Sequence, residues 1–262
     1  YFSDLFRDVL GIQSFADVPV GSFLSGGIDS TLVTANLVKT VPNTVKTFSI
    51  GFDDSRFDEA PYAKKIAHLL QTDHCELYLS DSDVLNFVER LSTRFTEPYA
   101  DSSQIATLAV SELAAKSVKV VLTGDGADEL FGGYTRYKVA PIIWKYFSFS
   151  PNFVQSAVGN LSGWLGNSSS LKGLQPFMKQ TNLNEKFLKL SRIIASSGSF
   201  EELYDYFLTA WPKSQHFLNP NYYYRQLVPL EGKDLFQYML ETDLKNYLPG
   251  DILVKVDRCS MA

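Results

Sequence analysis

The chain has 262 residues, of which 45% are hydrophobic and 20% are charged, and its formal net charge at pH 7 is −5. This composition is typical of a globular chain with enough apolar material for one large domain or two modest ones. The negative net charge and the dispersed lysines and arginines exclude the basic surface that binding to nucleic acid requires. Apolar runs are far shorter than the ~20 residues of a membrane helix.

Two further features of the sequence bear on its setting. Cys75 and Cys259 are its two cysteines, which favours a reducing, cytoplasmic environment. The chain opens at Tyr1 without an initiator methionine and stops at Ala262 directly after an amphipathic charged segment. We therefore expect a fragment of a longer protein, truncated at its C-terminus.

The first half of the chain alternates apolar runs with helical patterns. The run from Asp17 to Leu24 stops at a Ser-Gly-Gly turn, and helical spacing follows at Ile28, Leu32, Ala35 and Val38. Further strands are predicted over 45–52, 75–79 and 118–123. A second helix is predicted over 59–70, with Tyr62, Ile66 and Leu69 inward. Two more helices are predicted, one capped by Asp81 or Ser82 and the other by Ser102 or Ser103.

Apolar strands separated by helices predict a parallel sheet covered on both faces. We assign residues 1–147 to a doubly wound α/β domain. From Ser148 to Gly173 the composition changes to serine, glycine and asparagine, and beyond it the pattern is helical and rich in Phe and Tyr. We assign residues 148–262 to an appended helical subdomain.

The first candidate site is the loop Ser25-Gly26-Gly27-Ile28-Asp29-Ser30, which follows a predicted strand and opens a helix. Closely spaced backbone N–H groups at a helix N-terminus favour a bound phosphate. The loop is not a Walker A motif, because the first lysine after it is Lys39. Asp29 beside a polyphosphate indicates a cation such as Mg²⁺ between them, although for an isolated Ser-Gly-Gly turn a helix cap is the favoured explanation of Asp29.

The second candidate site, residues 124–134, places Asp125, Asp128 and Glu129 among four glycines directly after a predicted strand. On a helical turn these carboxylates would face one side and repel one another unless a cation were bound. The loop is not an EF-hand, because Ala127 stands at the third ligand position.

Other polar residues carry weaker signals. Lys255 lies in an amphipathic segment and is ordinary by itself. Asp53-Asp54 and Asp58-Glu59 are explained by loop polarity and by a helix N-terminus. The three histidines, His68, His74 and His216, show no metal-binding spacing.

Six segments carry a family pattern in order along the chain. They are 17–30 (DVPVGSFLSGGIDS), 48–52 (FSIGF), 58–62 (DEAPY), 97–104 (EPYADSSQ), 123–134 (TGDGADELFGGY) and 248–262 (LPGDILVKVDRCSMA). Together they resemble the synthetase domain of glutamine-hydrolysing asparagine synthetases, over nearly the whole chain. One such segment could arise by chance, but six in order are very specific.

The resemblance implies an ATP-pyrophosphatase fold of the adenine nucleotide alpha hydrolase-like (PP-loop) type, with ATP and Mg²⁺ as cofactors. Asp29 and Asp128 match the magnesium ligands, Asp125 matches an acidic residue proposed to accept a proton from ammonia, and Lys255 matches a lysine that neutralises charge on the phosphates. The positions matched to ATP binding are Leu24, Ser25, Gly26, Gly27, Asp29, Ser30, Ile50, Gly51, Thr123 and Gly124.

The implied reaction has two steps. The side-chain carboxylate of aspartate attacks the α-phosphorus of ATP to give β-aspartyl-AMP and pyrophosphate, and ammonia then displaces AMP. Members of the family usually carry an N-terminal glutaminase domain with a leading cysteine, and here no cysteine precedes Cys75. We therefore expect that domain to be a missing partner, without which the chain does not hydrolyse glutamine, and ammonia to come from glutamine through it or from solution. The oligomeric state is open, with a homodimer among the alternatives.

Two departures from the family pattern leave alternatives for the function. Thr123 stands where serine is usual, and Asp125 stands where some members have glutamate, which leaves the acceptor carboxylate open. A β-lactam synthetase-like cyclase, a sugar-acid amidotransferase and a non-catalytic nucleotide-binding module are the alternatives. Asp125 in place of the tyrosine of the β-lactam-forming relatives favours asparagine formation, and the full set of Asp29, Asp125, Asp128 and Lys255 favours an enzyme over a binding module.

Overall fold

The computed structural model describes residues 1–54, 56, 58–148, 198–208 and 228–261. They belong to two compact units, one made of Tyr1–Ala127 with Leu248–Ala262 and the other of Asp128–Tyr247. These boundaries differ from the expected division between residues 147 and 148, and much of the expected helical subdomain lies outside the described residues. Within the described ranges, no helix has the length and apolar character needed to cross a membrane.

The first unit is built on a parallel sheet of four strands. They are β1 (Val20–Phe23), β2 (Lys46–Phe52), β3 (Asp73–Leu79) and β4 (Val120–Leu122), in the order β3-β2-β1-β4. Ser22 of β1 pairs with Thr47 on one side and with Leu122 on the other. The chain therefore moves outward from β1 to β3 and returns beside β1, so the topological switch lies between β1 and β4. The predicted parallel α/β fold is confirmed.

Helices connect these strands and continue beyond them. In the first unit they are α1 (Phe2–Ser14), α2 (Ile28–Thr40), α3 (Ala60–Leu70), α4 (Asp81–Leu91) and α5 (Gln104–Ala115). After β4 come α6 (Ala127–Phe131), α7 (Arg136–Ser148), α8 (Phe200–Leu208), α9 (Leu235–Thr242), a π-helical segment (Asp243–Ile252) and α10 (Leu253–Ser260). The cap of α4 is Ser80, which forms a capping box with Asp83, and not the predicted Asp81 or Ser82.

Strand β2 has one apolar and one polar face, because successive side chains of a strand point to opposite sides. Phe48 belongs to an apolar cluster with Val110 of α5 and with Val118. On the other face, the hydroxyls of Thr47 and Ser49 lie 2.8 Å and 3.2 Å from the ring nitrogens of His74. Burial lowers the pKa of His74, so this polar ladder contains a neutral imidazole at pH 7.

Helix α2 turns a different face inward from the one its apolar spacing predicts. Its buried residues are Ser30, Val33, Thr34 and Leu37, whereas Ile28 is 85% exposed. The hydroxyls of Thr34 and Ser22 are 2.9 Å apart, and Thr34 also donates to the carbonyl of Ser30 at 2.7 Å. These small polar side chains satisfy one another and let α2 lie close to β1.

Helix α3 shows the same preference for small residues. It buries Ala60, Ala63 and Ala67, whereas Tyr62 and Leu69, predicted inward, are 63% and 75% exposed. The close approach of Gly26 explains why small residues are buried on α3. A Cβ on Gly26 would lie 2.7 Å from the Cβ of Tyr62 and 2.8 Å from the nitrogen of Ala63. The glycine loop after β1 therefore rests on the backbone of α3.

The second unit has an apolar core and a buried ion pair. The core consists of Tyr137, Ala140, Phe200, Leu203, Tyr204, Val228, Tyr238 and Met239. Asp243 is fully buried, and its Oδ2 accepts from Nη2 of Arg136 at 2.7 Å, from the Tyr137 hydroxyl at 2.6 Å and from the Tyr204 hydroxyl at 2.9 Å. Burial, followed by the Asp243 interactions, raises the pKa of both tyrosines, so they remain donors.

We predict that Asp243→Ala destabilises the second unit by about 3–5 kcal/mol, because it leaves the Arg136 cation in the unit's interior without its carboxylate. Thermal and chemical denaturation followed by circular dichroism measure this change. Glu241→Ala is the matched control, since Glu241 also pairs with two lysines, Lys233 and Lys245, but at the surface, where such pairs contribute little. Equal melting of the Asp243 variant and the wild type would contradict the prediction.

Candidate functional site

A cavity of about 860 Å³ opens at the carboxyl ends of the strands in the first unit. Ligands of open parallel sheets bind at this edge and at the topological switch. The loops after β1, β2 and β4 and the starts of α2 and α5 all contribute to its lining. The cavity is therefore the candidate site of this unit.

The loop after β1 is held in shape by its own serines. The hydroxyls of Ser25 and Ser30 are 2.9 Å apart, and Ser30 Oγ also accepts from the Ser25 N–H at 3.2 Å. The N-cap of α2 is Gly27, and no side chain caps the helix start. The first N–H groups of α2 therefore remain available to a ligand, and their partial positive charge favours an anion.

The loop after β4 packs directly on the first turn of α2. A Cβ on Gly124 would lie 3.0 Å from the nitrogen of Ser30 and 3.2 Å from the Cβ of Asp29. A side chain at this position would crowd the two loops, so glycine favours their close contact. This contact brings Thr123, Gly124 and Asp125 to the same end of the cavity as Asp29.

The cavity lining is rich in carboxylates. Its lining contains six carboxyl side chains and, among the residues that the structure describes, no lysine or arginine; the six are Asp29, Asp53, Asp54, Glu59, Asp81 and Asp125. A polyphosphate would be repelled here unless cations accompanied it. The lining also contains apolar residues, among them Leu24, Ile50 and Ile105, which suit the flat ring of a nucleobase.

The donor set fits a magnesium ion that is shared with a ligand. Within the described ranges, no group of three or more His, Cys, Asp or Glu side chains is placed to hold a metal ion by itself. Mg²⁺, however, binds through one or two carboxylates together with substrate phosphates. Asp29, in the first turn of α2 and part of the cavity lining, suits that mode of binding.

Most of the residues matched to ATP binding line this cavity. Leu24, Ser25, Gly27, Asp29, Ser30, Ile50, Thr123 and Gly124 do so, whereas Gly26 and Gly51 do not. Gly26 has a φ of +82° and rests on α3, and a Cβ on Gly51 would lie 2.5 Å from the ring of Tyr78. These two glycines therefore do not line the cavity but allow the segments that do to pack closely on their neighbours.

The residues matched to catalysis and metal binding lie in three settings. Asp125 is exposed in the cavity lining, and its N–H donates to Thr123 Oγ1 at 3.3 Å. Lys255 is buried beside the start of α5, where its ammonium donates to Asp101 Oδ2 at 2.9 Å and to Ser103 Oγ at 2.7 Å. Asp128 belongs to the second unit, so its pairing with Asp29 on one Mg²⁺ stays a prediction.

Sequence reasoning missed several residues of this cavity. Asp53, Asp54 and Glu59 were explained by loop polarity and a helix start, yet all three line it. Their position after the carboxyl end of β2 is the signal that could have identified them. Ser103 was considered only as a helix cap; it is the N-cap of α5 but makes no side-chain cap bond, and its hydroxyl contacts Lys255 instead.

The sequence profile of the asparagine synthase family matches residues 2–262. Asparagine synthetase [glutamine-hydrolyzing] 1 of Bacillus subtilis is 31% identical over 99% of this chain and 39% of its own length. A Mycobacterium bovis protein with the same glutamine-hydrolysing name is 34% identical over 94% of this chain and 36% of its own length. Amidase chyE of Penicillium rubens is 35% identical over 50% of this chain and 22% of its own length.

The chain thus spans about two fifths or less of the length of these relatives. The family match, in contrast, extends over nearly all of the chain. It includes both loops of the cavity and the C-terminal helix that carries Lys255. The chain belongs to the asparagine synthase family.

Proposed function

We propose that this chain is the synthetase part of an enzyme that converts aspartate to asparagine with ATP. The observation that carries the proposal is the meeting of two glycine loops at the uncapped start of α2, in a cavity lined by carboxylates. Phosphates would lie against the N–H groups of residues 25–30, and the adenine would lie on the apolar lining near Leu24 and Ile50. Family membership supports the same assignment.

In the proposed mechanism the aspartate side-chain carboxylate attacks the α-phosphorus of ATP, and the bond to the β-phosphate oxygen breaks to release pyrophosphate. Ammonia then attacks the acyl carbon of β-aspartyl-AMP, AMP leaves with the electron pair of the C–O bond, and Asp125 accepts a proton from the attacking nitrogen. Lys255 offsets the negative charge that develops on the phosphates. Mg²⁺, with Asp29 and Asp128 as ligands, would supply Lewis acidity at the phosphate oxygens.

Partners complete the proposal. The glutamine-hydrolysing relatives are much longer than this chain, so a glutaminase domain would supply ammonia from glutamine. We also propose a cytoplasmic setting, which the two free cysteines, Cys75 and Cys259, support. A homodimer remains an alternative for the assembly.

We predict aspartate-dependent exchange of labelled pyrophosphate into ATP in the presence of Mg²⁺, and a loss of at least about 100-fold in Asp29→Asn, because the Mg²⁺ that binds the phosphates loses a charged ligand. Asp17→Asn is the matched control, since Asp17 is exposed and does not line the cavity. A panel of other carboxylic acids identifies the acceptor. Exchange with a different acid would move the protein to a related amidotransferase or cyclase, and ATP binding without exchange would favour a binding module.

We predict that Gly124→Ala weakens ATP binding by at least about tenfold, because the added methyl group separates the β4 loop from the first turn of α2. Calorimetric titration with a non-hydrolysable ATP analogue and Mg²⁺ measures the affinity. Gly11→Ala is the control, since nothing lies within 4 Å of a Cβ at that position. If the affinity for the ATP analogue were unchanged in Gly124→Ala, the phosphates would not bind where the β4 loop meets the first turn of α2.

We predict that removal of divalent cations with EDTA lowers the affinity for ATP by at least about 100-fold, whereas the affinity for adenosine stays the same. The carboxylates of the lining repel the phosphates of ATP but not the uncharged nucleoside. Binding of both ligands is measured by fluorescence competition. If EDTA left ATP binding intact, the proposed cation between the carboxylates and the phosphates would be wrong.

A further inference from the structure

A buried lysine is held beside the cavity by two residues that lie about 150 positions away in the sequence. The side chain of Lys255 is 8% exposed, and its ammonium contacts Asp101 Oδ2 and Ser103 Oγ at 2.9 Å and 2.7 Å. Ser103 lines the cavity, whereas Asp101 and Lys255 do not. The Lys255 ammonium is therefore hydrogen-bonded to a residue of the cavity lining, Ser103.

The three side chains form a closed ring of hydrogen bonds. Lys255 donates to Ser103 Oγ, and Ser103 Oγ donates to Asp101 Oδ2 at 2.8 Å. The Ser103 N–H fixes the other carboxylate oxygen at 2.9 Å. Burial alone would raise the pKa of Asp101, but the hydrogen bonds from Ser103 and Lys255 outweigh it and lower that pKa. Asp101 therefore stays ionised opposite the ammonium at neutral pH.

This arrangement fixes a side chain that is otherwise flexible. A lysine has four rotatable bonds, and it loses considerable entropy when its ammonium is held in one place. Two of the three N–H donors of Lys255 are directed to Asp101 and Ser103. Among the residues that the structure describes, the third donor has no acceptor, so it remains for a ligand.

The C-terminal segment that carries Lys255 also contacts the 99–109 segment through groups outside the hydrogen-bonded ring. The Tyr99 hydroxyl donates to the carbonyl of Asp251 at 2.6 Å, and Cys259 donates to the carbonyl of Gln104 at 3.5 Å. Cys259 is also part of an apolar cluster with Leu108 and Ala109 of α5. The helix thus keeps other contacts with the 99–109 segment when Asp101 is altered, and the effect of Asp101 on Lys255 can be measured separately.

We propose that Asp101 and Ser103 are positioning residues that hold the Lys255 ammonium at the cavity wall for its contact with the phosphates. The proposal rests on the function proposed above, in which Lys255 offsets charge during adenylation. Asp101 does not touch the substrate and acts only through the lysine. Its effect should therefore appear in turnover more than in KM for ATP, and it should vanish when the lysine is removed.

Pyrophosphate exchange in a double-mutant cycle tests this dependence. We expect Asp101→Asn and Ser103→Ala each to lower kcat by at least about tenfold, with KM for ATP changed less than kcat, and Lys255→Ala to lower it further. Asp101→Asn/Lys255→Ala should equal Lys255→Ala alone, and Asp101→Glu should restore part of the activity. Asp257→Asn, an exposed carboxylate on the same helix, is the control and should resemble the wild type. A further loss on adding Asp101→Asn to Lys255→Ala would overturn the proposal.

Pulse acetylation of the full chain, read by mass spectrometry, tests the same contact without any activity. Lys255 should react slowly in the wild type and in Asp257→Asn, and at least about tenfold faster in Asp101→Asn, with exposed Lys119 as the internal standard. Equal Lys255 labelling in all three proteins would overturn the positioning role. If the wild type showed no exchange activity and Lys255 still reacted faster in Asp101→Asn than in the wild type, the proposed function would be rejected but the contact between Asp101 and Lys255 would stand.

Discussion

The close packing of two backbone loops is the constraint on which the candidate site depends. Gly124 lets the β4 loop lie so close to α2 that a Cβ would be 3.0 Å from the nitrogen of Ser30. Such contact requires β4 to lie beside β1, as the order β3-β2-β1-β4 provides. It also requires α2 to pack close to the sheet, which the small residues Ser22 and Thr34 allow. Sheet order and residue size together therefore create the cavity at the switch point.

The sequence predicted the strands of the sheet and the two glycine loops, because uninterrupted apolar runs that end in glycine have few other structural explanations. The apolar spacing of α2 does not identify its buried face, and in α3 Tyr62 and Leu69 were wrongly predicted inward, whereas Ile66 packs against a buried cluster. Spacing arguments select the bulkiest apolar residues, whereas close packing on a strand or on a loop selects small ones, such as Thr34 of α2 and Ala63 of α3. Size complementarity depends on the neighbour across the interface, which no window of local sequence contains.

The candidate site was predictable to the extent that its residues follow strands. The loops after β1 and β4 were identified in that way, and Asp53 after β2 could have been identified by the same rule. The partners of Lys255 could not, because Asp101 and Ser103 lie in a different segment of the chain and resemble an ordinary helix cap. Only the packing of α10 against α5 brings them together, and this tertiary contact also assigns the C-terminal segment to the sheet unit.

The charges of the site explain how it could favour a transition state over a bound substrate. The cavity lining is negative, and the charge of the nearby lysine is already compensated by Asp101. A free phosphate anion would therefore gain little from the site, whereas the proposed nucleotide would bring its own cation. In the proposed adenylation, negative charge would develop on the phosphate oxygens, and Asp101 and Ser103 would already hold the Lys255 ammonium in place beside the cavity lining. An interaction that strengthens only as charge develops raises turnover rather than ground-state affinity, which is the form of catalysis that an ion-paired and pre-positioned lysine can provide.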